Sequence, residues 1–332
     1  FGSSSSVFFA RVVMRLLLLL GTLRASGSQK TEAETWGFNI TGLPLMSNRE
    51  ANRAVAILAG PKFKLLGSWR SSPSFIRGLN RKLVSGGYHL IHGFFHAEAA
   101  EGLYQELRAL RESGGLAVDP SSAARAGRAL GASAEALSAA GPPSEKCAAW
   151  ERAVGLDGFA YCRHDWSRAG RPDPDPEHYP WLASVTQALG GRGEEWAQAM
   201  NLLLTGSGMR IRGSPAKRMV RTGPLFNEYM AGDYISTHSD ALDSRALTLN
   251  VWLTSPGWRP EWGGSFLWCG TPSGGFASAE RLPAQFNTAA LFLPLPESLH
   301  AVEPVAEPPA PHHRFGLQLW AGVRRMEAER HW

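Results

Sequence analysis

The spacing of apolar residues changes near Gly213. Before that point the clearest signal is helical: Ala97, Ala100, Leu103, Leu107 and Leu110 recur through about Glu112 at intervals that bury one helix face. The stretch ahead of it, Tyr88 to Phe95, alternates loosely and reads as a strand. Ser47 and Glu50 have capping-box spacing before a short helix, Asn48 to Leu58, which Pro61 ends. A further helical pair is expected over Trp181 to Leu189 and Glu194 to Leu204, broken by Gly190-Gly191. Residues 114–145 are rich in Ala, Gly, Ser and Pro and read as a surface insertion or mobile loop.

After Gly213 the pattern becomes short strands separated by turn signals: Met219–Tyr229, Tyr234–His238, Ala246–Leu253, Gly264–Cys269, Thr288–Pro294, Leu299–Val305 and Arg314–Ala321. Strands gathered behind a helical front half predict an α+β fold with a closed or two-sheet β core. No repeat of fixed period is present.

Composition narrows the picture. Hydrophobic residues are 44% of 332, enough for a large core, and twelve Trp with 36 Gly suit a β-rich fold. The net charge is +5 and the pI about 9.3. The excess is not gathered into one basic block, so no nucleic-acid partner is expected.

The N-terminus carries an address. Basic residues, then Leu16 to Leu20, then a small-residue stretch ending at Gly27 have the layout of a signal peptide over residues 1–27, with Met14 as an alternative start. The run is too short for a stable membrane span. Expected localisation is the secretory pathway, in the endoplasmic reticulum lumen or outside the cell; organelle transit is the rival, because no acid precedes Glu32. Asn39-Ile40-Thr41 is a glycosylation triplet. Of Cys147, Cys162 and Cys269, the first two are the expected bridge, against three reduced thiols. The domain reading is a region of unassigned role at 28–82, a catalytic domain at 83–322 and a tail at 323–332.

The chemistry lies in the β half. In a strand or at its exit, residues two apart point the same way, so His238 and Asp240 can meet one ion. Ten histidines and 29 acids make such a triplet a chance event, and His96-Ala97-Glu98 is a decoy at a helix start. A third ligand is available from His300, which opens a strand after the apolar run Ala289 to Leu293. Two histidines and a carboxylate leave open positions on iron for oxygen chemistry. Arg314 begins a strand on which Arg314, Gly316, Gln318 and Trp320 share a face, and its fork of donors suits a buried carboxylate. His312 and His313 are alternative ligands whose loop position favours solvent.

The run Phe226 to Asp240 resembles the metal-binding strand of the prolyl 4-hydroxylase-like 2-oxoglutarate oxygenases. So do Arg245, the strand Leu247 to Leu253, Gly263-Gly264, the apolar strand before His300 and the arginine strand, all in the family's order. The resemblance covers about residues 219–322, with 86–112 as a leading strand and helix. It implies a double-stranded β-helix (jelly-roll) core with flanking N-terminal helices. It further implies Fe(II) on His238, Asp240 and His300, and the distal carboxylate of 2-oxoglutarate on Arg314. Tyr229 and Thr248 are implied co-substrate contacts, while Trp252 stands where relatives have tyrosine. O2 is the second co-substrate and ascorbate an accessory. The implied reaction is hydroxylation with release of succinate and CO2, on prolyl residues of a protein or peptide. Asp240 fills the coordination position a halide would need, which favours hydroxylation over halogenation. The competing readings are a non-catalytic jelly-roll binding module and a zinc hydrolase on the same ligands. The latter calls for a His-Glu-x-x-His helix, and the chain has none.

Overall fold

Residues 45–87 fold into two helices. Helix α1 is Asn48–Leu58, and the capping box is formed: Ser47 Oγ accepts from Glu50 N–H at 3.3 Å and the Glu50 carboxylate accepts from Ser47 N–H at 2.8 Å. Helix α2, Pro73–Val84, was not anticipated, yet its start is legible in Ser72, which caps Phe75 N–H, followed by proline. Ile76, Leu79 and Leu83 form its buried stripe. Asn80 is also buried on it and bridges Met46 N–H to the carbonyls of Leu203 and Thr205. The boundary expected at residue 82 therefore falls inside a helix. These residues share one core cluster with the main sheet.

The computed structural model describes residues 45–118, 159–160, 162–165, 174–190, 194–206, 224–241, 245–269, 280–306 and 311–322. The signal peptide, the glycosylation triplet, Cys147, most of the 114–145 insertion and the tail lie outside them. The remaining elements are β1 (Tyr88–His92), α3 (Ala97–Glu112), β2 (Ala117–Val118), β3 (Phe159–Ala160), β4 (Cys162–Asp165), α4 (Pro180–Leu189) and α5 (Glu194–Leu203). There follow β5 (Leu225–Tyr229), β6 (Tyr234–His238), β7 (Arg245–Thr254), β8 (Phe266–Trp268), β9 (Glu280–Leu282), β10 (Thr288–Phe292), β11 (His300–Val302) and β12 (Arg314–Gly322). No helix among the described residues is long and apolar enough to cross a membrane.

Two antiparallel sheets form the α+β jelly-roll core. The larger runs β1-β10-β7-β12-β5-β4-β2 and the smaller β3-β6-β11-β8-β9. The main sheet separates two environments by the period of its strands. Ile91, Ala289, Val251, Leu317 and Phe226 face the helices and belong to the large cluster that α1, α2 and α3 complete. The other face meets the small sheet through two apolar clusters. One contains Trp252, Phe266, Trp268 and Phe292, the other Leu225, Tyr229, Val302 and Val305. Between them the inner face carries polar residues. Strands β2, β3, β4 and β9 were missed, being two to four residues long and too short for alternation to register.

Cys269 is disulfide-bonded. In a chain of three cysteines this rules out the expected Cys147–Cys162 bridge.

Candidate metal centre

His238 ends β6 and His300 opens β11, and the antiparallel register sets them opposite each other. Asp240 follows two residues after β6. One ligand atom from each of the three side chains lies within 4.8 Å of the others. Asp240 and His300 are almost fully buried, whereas the side chain of His238 is 34% exposed, so the cluster opens to solvent on that side.

Each ligand is prepared by its surroundings. Nδ1–H of His300 donates to Ser298 O at 2.9 Å, which selects the tautomer with a lone pair on Nε2. That Nε2 is buried and has no hydrogen-bond partner. Burial, and then the neighbouring His238, push the His300 pKa down to about 4, so the ring is neutral and fit to bind a cation. Burial alone would raise the pKa of Asp240. The two histidines, the Trp320 hydrogen bond and Arg245 outweigh it and hold the carboxyl below its usual range. Its Oδ1 accepts from Arg245 at 2.8 Å, and its Oδ2 from Trp320 Nε1–H at 2.9 Å and Thr248 Oγ1–H at 3.2 Å. The neutral His300 ring, the facing His238 imidazole and a fixed carboxylate suit a divalent cation with open positions. The orphaned Nε2 is the observation that fits such an ion.

Arg314 shares a pocket with His238 and His300. It is 2% exposed and pairs with Tyr229 across β12 and β5, its guanidinium carbon 4.2 Å from the ring centroid. Nε–H donates to Gly264 O at 2.6 Å. A Cβ at Gly264 would lie 2.5 Å from Arg314 Cδ, and its φ is +68°, so the Gly-Gly turn is a requirement of the arginine. Burial lowers the Arg314 pKa to about 10, which still leaves it charged at neutral pH. No carboxylate among the described residues lies within ion-pair distance of it. A buried cation of this kind needs an anion from outside.

Of the residues named from sequence, His238, His300, Arg314 and Tyr229 line this pocket. Asp240 stands behind it, joined to the cluster. Thr248 does not line it. In the register it is opposite Trp320, six positions along β7 from Thr254, which is opposite Arg314, and its hydroxyl donates to Asp240. Trp252 does line the pocket, packed on Phe266. His313 turns to the opposite face, where Glu228 binds both its Nδ1 at 3.0 Å and Arg111 of α3 at 2.7 Å. His312 packs on Trp262. The decoy His96 caps α3 by accepting from Ala99 N–H. Sequence reasoning assigned no role to Arg245 or Trp320. Trp320's place on the Arg314 face was the available signal, and the carboxylate contact was invisible.

Comparisons agree with this geometry. The sequence model of the 2OG-Fe(II) oxygenase superfamily matches residues 225–321. Among solved structures, a Trichoplax adhaerens prolyl hydroxylase in complex with a peptide fragment superposes with a TM-score of 0.52 at 15% identity, covering 78% of this chain and 94% of that one. A Pseudomonas putida prolyl-4-hydroxylase gives a TM-score of 0.48 at 15% identity, covering 75% and 99%. No curated protein matches. Residues 225–321 thus match the 2OG-Fe(II) oxygenase superfamily, which works with Fe(II), 2-oxoglutarate and O2, and the chain is prolyl-hydroxylase-like in fold.

Proposed function

We propose that this chain hydroxylates prolyl residues in a protein or peptide, with His238, Asp240 and His300 holding Fe(II) and Arg314 anchoring 2-oxoglutarate. One observation carries the reading: a three-ligand cluster and a buried guanidinium without a carboxylate partner face the same pocket. When bound, iron and 2-oxoglutarate supply with dioxygen the oxidant for a substrate C–H, releasing succinate and CO2. The protein's own part is placement. Ser298 and burial keep the His300 lone pair available. Arg245, Trp320 and Thr248 leave Asp240 little freedom to rotate. Arg314 presents its terminal N–H groups to a carboxylate, with Tyr229 beneath. Trp252 and Phe266 exclude water from the pocket wall, and the exposed side of His238 leaves substrate an approach.

A prolyl substrate is supported by the family resemblance and by the peptide held in the Trichoplax enzyme. Secretory localisation is supported by the N-terminal pattern and by the disulfide at Cys269, a bond of oxidising compartments. The test of the centre is anaerobic addition of Fe(II) and then 2-oxoglutarate to purified protein. A visible charge-transfer band, lost in His238→Ala, is expected. Folded protein that gives no band and retains zinc tightly points to a hydrolase. For the substrate, succinate release is followed with proline-rich peptides, and no release above the uncoupled background would reject them.

A further inference from the structure

The floor of the pocket holds a side chain that the reading above leaves unused. Asn227 is on β5, two residues before Tyr229 and on the same face, and is 5% exposed. Its amide makes no hydrogen bond to any described residue, and Oδ1 is fully buried without a partner. An amide offers two donors and two acceptors, and leaving such a group bare inside a protein is costly. The amide lines the same pocket as Arg314, His238 and His300.

The neighbouring strand is built around it. Gly316 is opposite Asn227 in the β5–β12 register, two residues after Arg314. A Cβ at Gly316 would lie 2.6 Å from Asn227 Oδ1. The missing side chain thus lets the amide lie across β12 beside the arginine. Oxygen and nitrogen of an amide exchange places by a simple flip, so either can be turned to the cavity.

We propose that Asn227 donates a hydrogen bond to a carboxylate of bound 2-oxoglutarate, as a second anion-reading group beside Arg314. The proposal rests on the co-substrate assignment above. A dianion has only acceptors to offer, and the side-chain donors among the residues that line this pocket beyond the metal ligands are the Arg314 N–H groups, the Tyr229 hydroxyl, the Trp252 indole N–H and the amides of Asn227, Asn250 and Gln318, of which Asn227 has its carbonyl oxygen buried without a partner. Arg314 supplies the charge. The amide adds direction without adding a second buried cation.

The test is calorimetric titration of 2-oxoglutarate into the full chain loaded with Mn(II), which needs no turnover. Wild type is compared with Asn227→Ala, Asn227→Leu (of the same branched shape but with no donor) and Arg314→Met. Loss of a charge-assisted hydrogen bond weakens 2-oxoglutarate binding by roughly 10- to 100-fold in the Asn227 variants. Mn(II) affinity and melting temperature stay at wild-type values, which a packing defect would not allow. If Asn227→Ala fails to fold, Asn227→Leu decides. Oxalate, which has the chelating end alone, locates the contact. Unchanged oxalate binding assigns it to the distal carboxylate, and a parallel loss assigns it to the chelated end. Unaltered 2-oxoglutarate binding in a folded Asn227 variant, with binding abolished by Arg314→Met, overturns the inference and leaves the function standing. Wild-type protein with Mn(II) that binds no 2-oxoglutarate brings down both.

Discussion

His238 and His300 lie across an antiparallel pair with ring centroids 4.3 Å apart and planes inclined by 57°. One ring reaches solvent and the other is sealed between Phe266 and Phe292. Their substitutions therefore separate. His238→Ala and His300→Ala should each weaken Mn(II) binding by more than about 100-fold, since losing an outer-sphere partner alone costs about 10- to 100-fold. Only His300→Ala should also destabilise the metal-free protein, by about 2–5 kcal/mol for an emptied core site. Calorimetry and urea unfolding of both variants check this.

Asp240 is restrained by partners that never touch the co-substrate pocket. Arg245 stacks on Trp320 at 4.0 Å, and both donate to the carboxylate. Trp320→Phe keeps the ring and removes the N–H. The expected result is a 10- to 100-fold loss of metal affinity with little change in melting temperature. Equal metal affinity in wild type and variant would mean the carboxylate is held without Trp320.

Gly264→Ala places a methyl group against the Arg314 side chain in a left-handed conformation. A cost of about 1–3 kcal/mol in stability is expected. Weaker 2-oxoglutarate binding should accompany it, because the arginine cannot keep its position. Thermal unfolding and titration together check both halves; an intact Arg314 site in a destabilised variant would refute the second.

The metal-free protein should lose stability as pH falls from about 6.5 towards 4. Burial, then His238, depress the His300 pKa to about 4, so the unfolded chain, with an ordinary value near 6.5, binds the extra proton in that interval. The contribution is complete above 6.5 and disappears as pH drops through 4. His300→Ala should flatten this part of the profile in denaturant titrations.

Asp233 acts with the opposite sign. Burial first, and then Glu228, raise its pKa to about 6 against the Met230 N–H bond, which lowers it. Its contribution is full below the ordinary value near 3.8 and is lost as pH rises through 6. Asp233→Asn should therefore be more stable than wild type at pH 7 and similar to it near pH 4. A variant less stable than wild type at pH 7 would show that the charged carboxylate is needed by the turn.

Most of the framework was readable because it is local. The capping box at Ser47 and Glu50, the α3 stripe from Ala97 to Leu110, and the strands ending at His238 and beginning at Arg314 all depend on neighbours a few residues away. Helix α2 was overlooked although Ser72-Pro73 marked its start. The Cys147–Cys162 pairing failed because a short loop says nothing about where Cys269 is carried.

The order of residue types along the chain was enough to single out His238, Asp240 and His300, which the fold gathers into one cluster, the buried Arg314 beside them, and the family they resemble. Spacing by itself could not distinguish His238 from the capping His96, nor assign Thr248 to Asp240 in place of the co-substrate. Those distinctions arise from register. Pairing β6 with β11, β7 with β12 and β12 with β5 brings side chains far apart in sequence onto one inner face. Whether a polar group there finds a protein partner or stays bare, as Asn227 does, depends on packing that no local pattern contains.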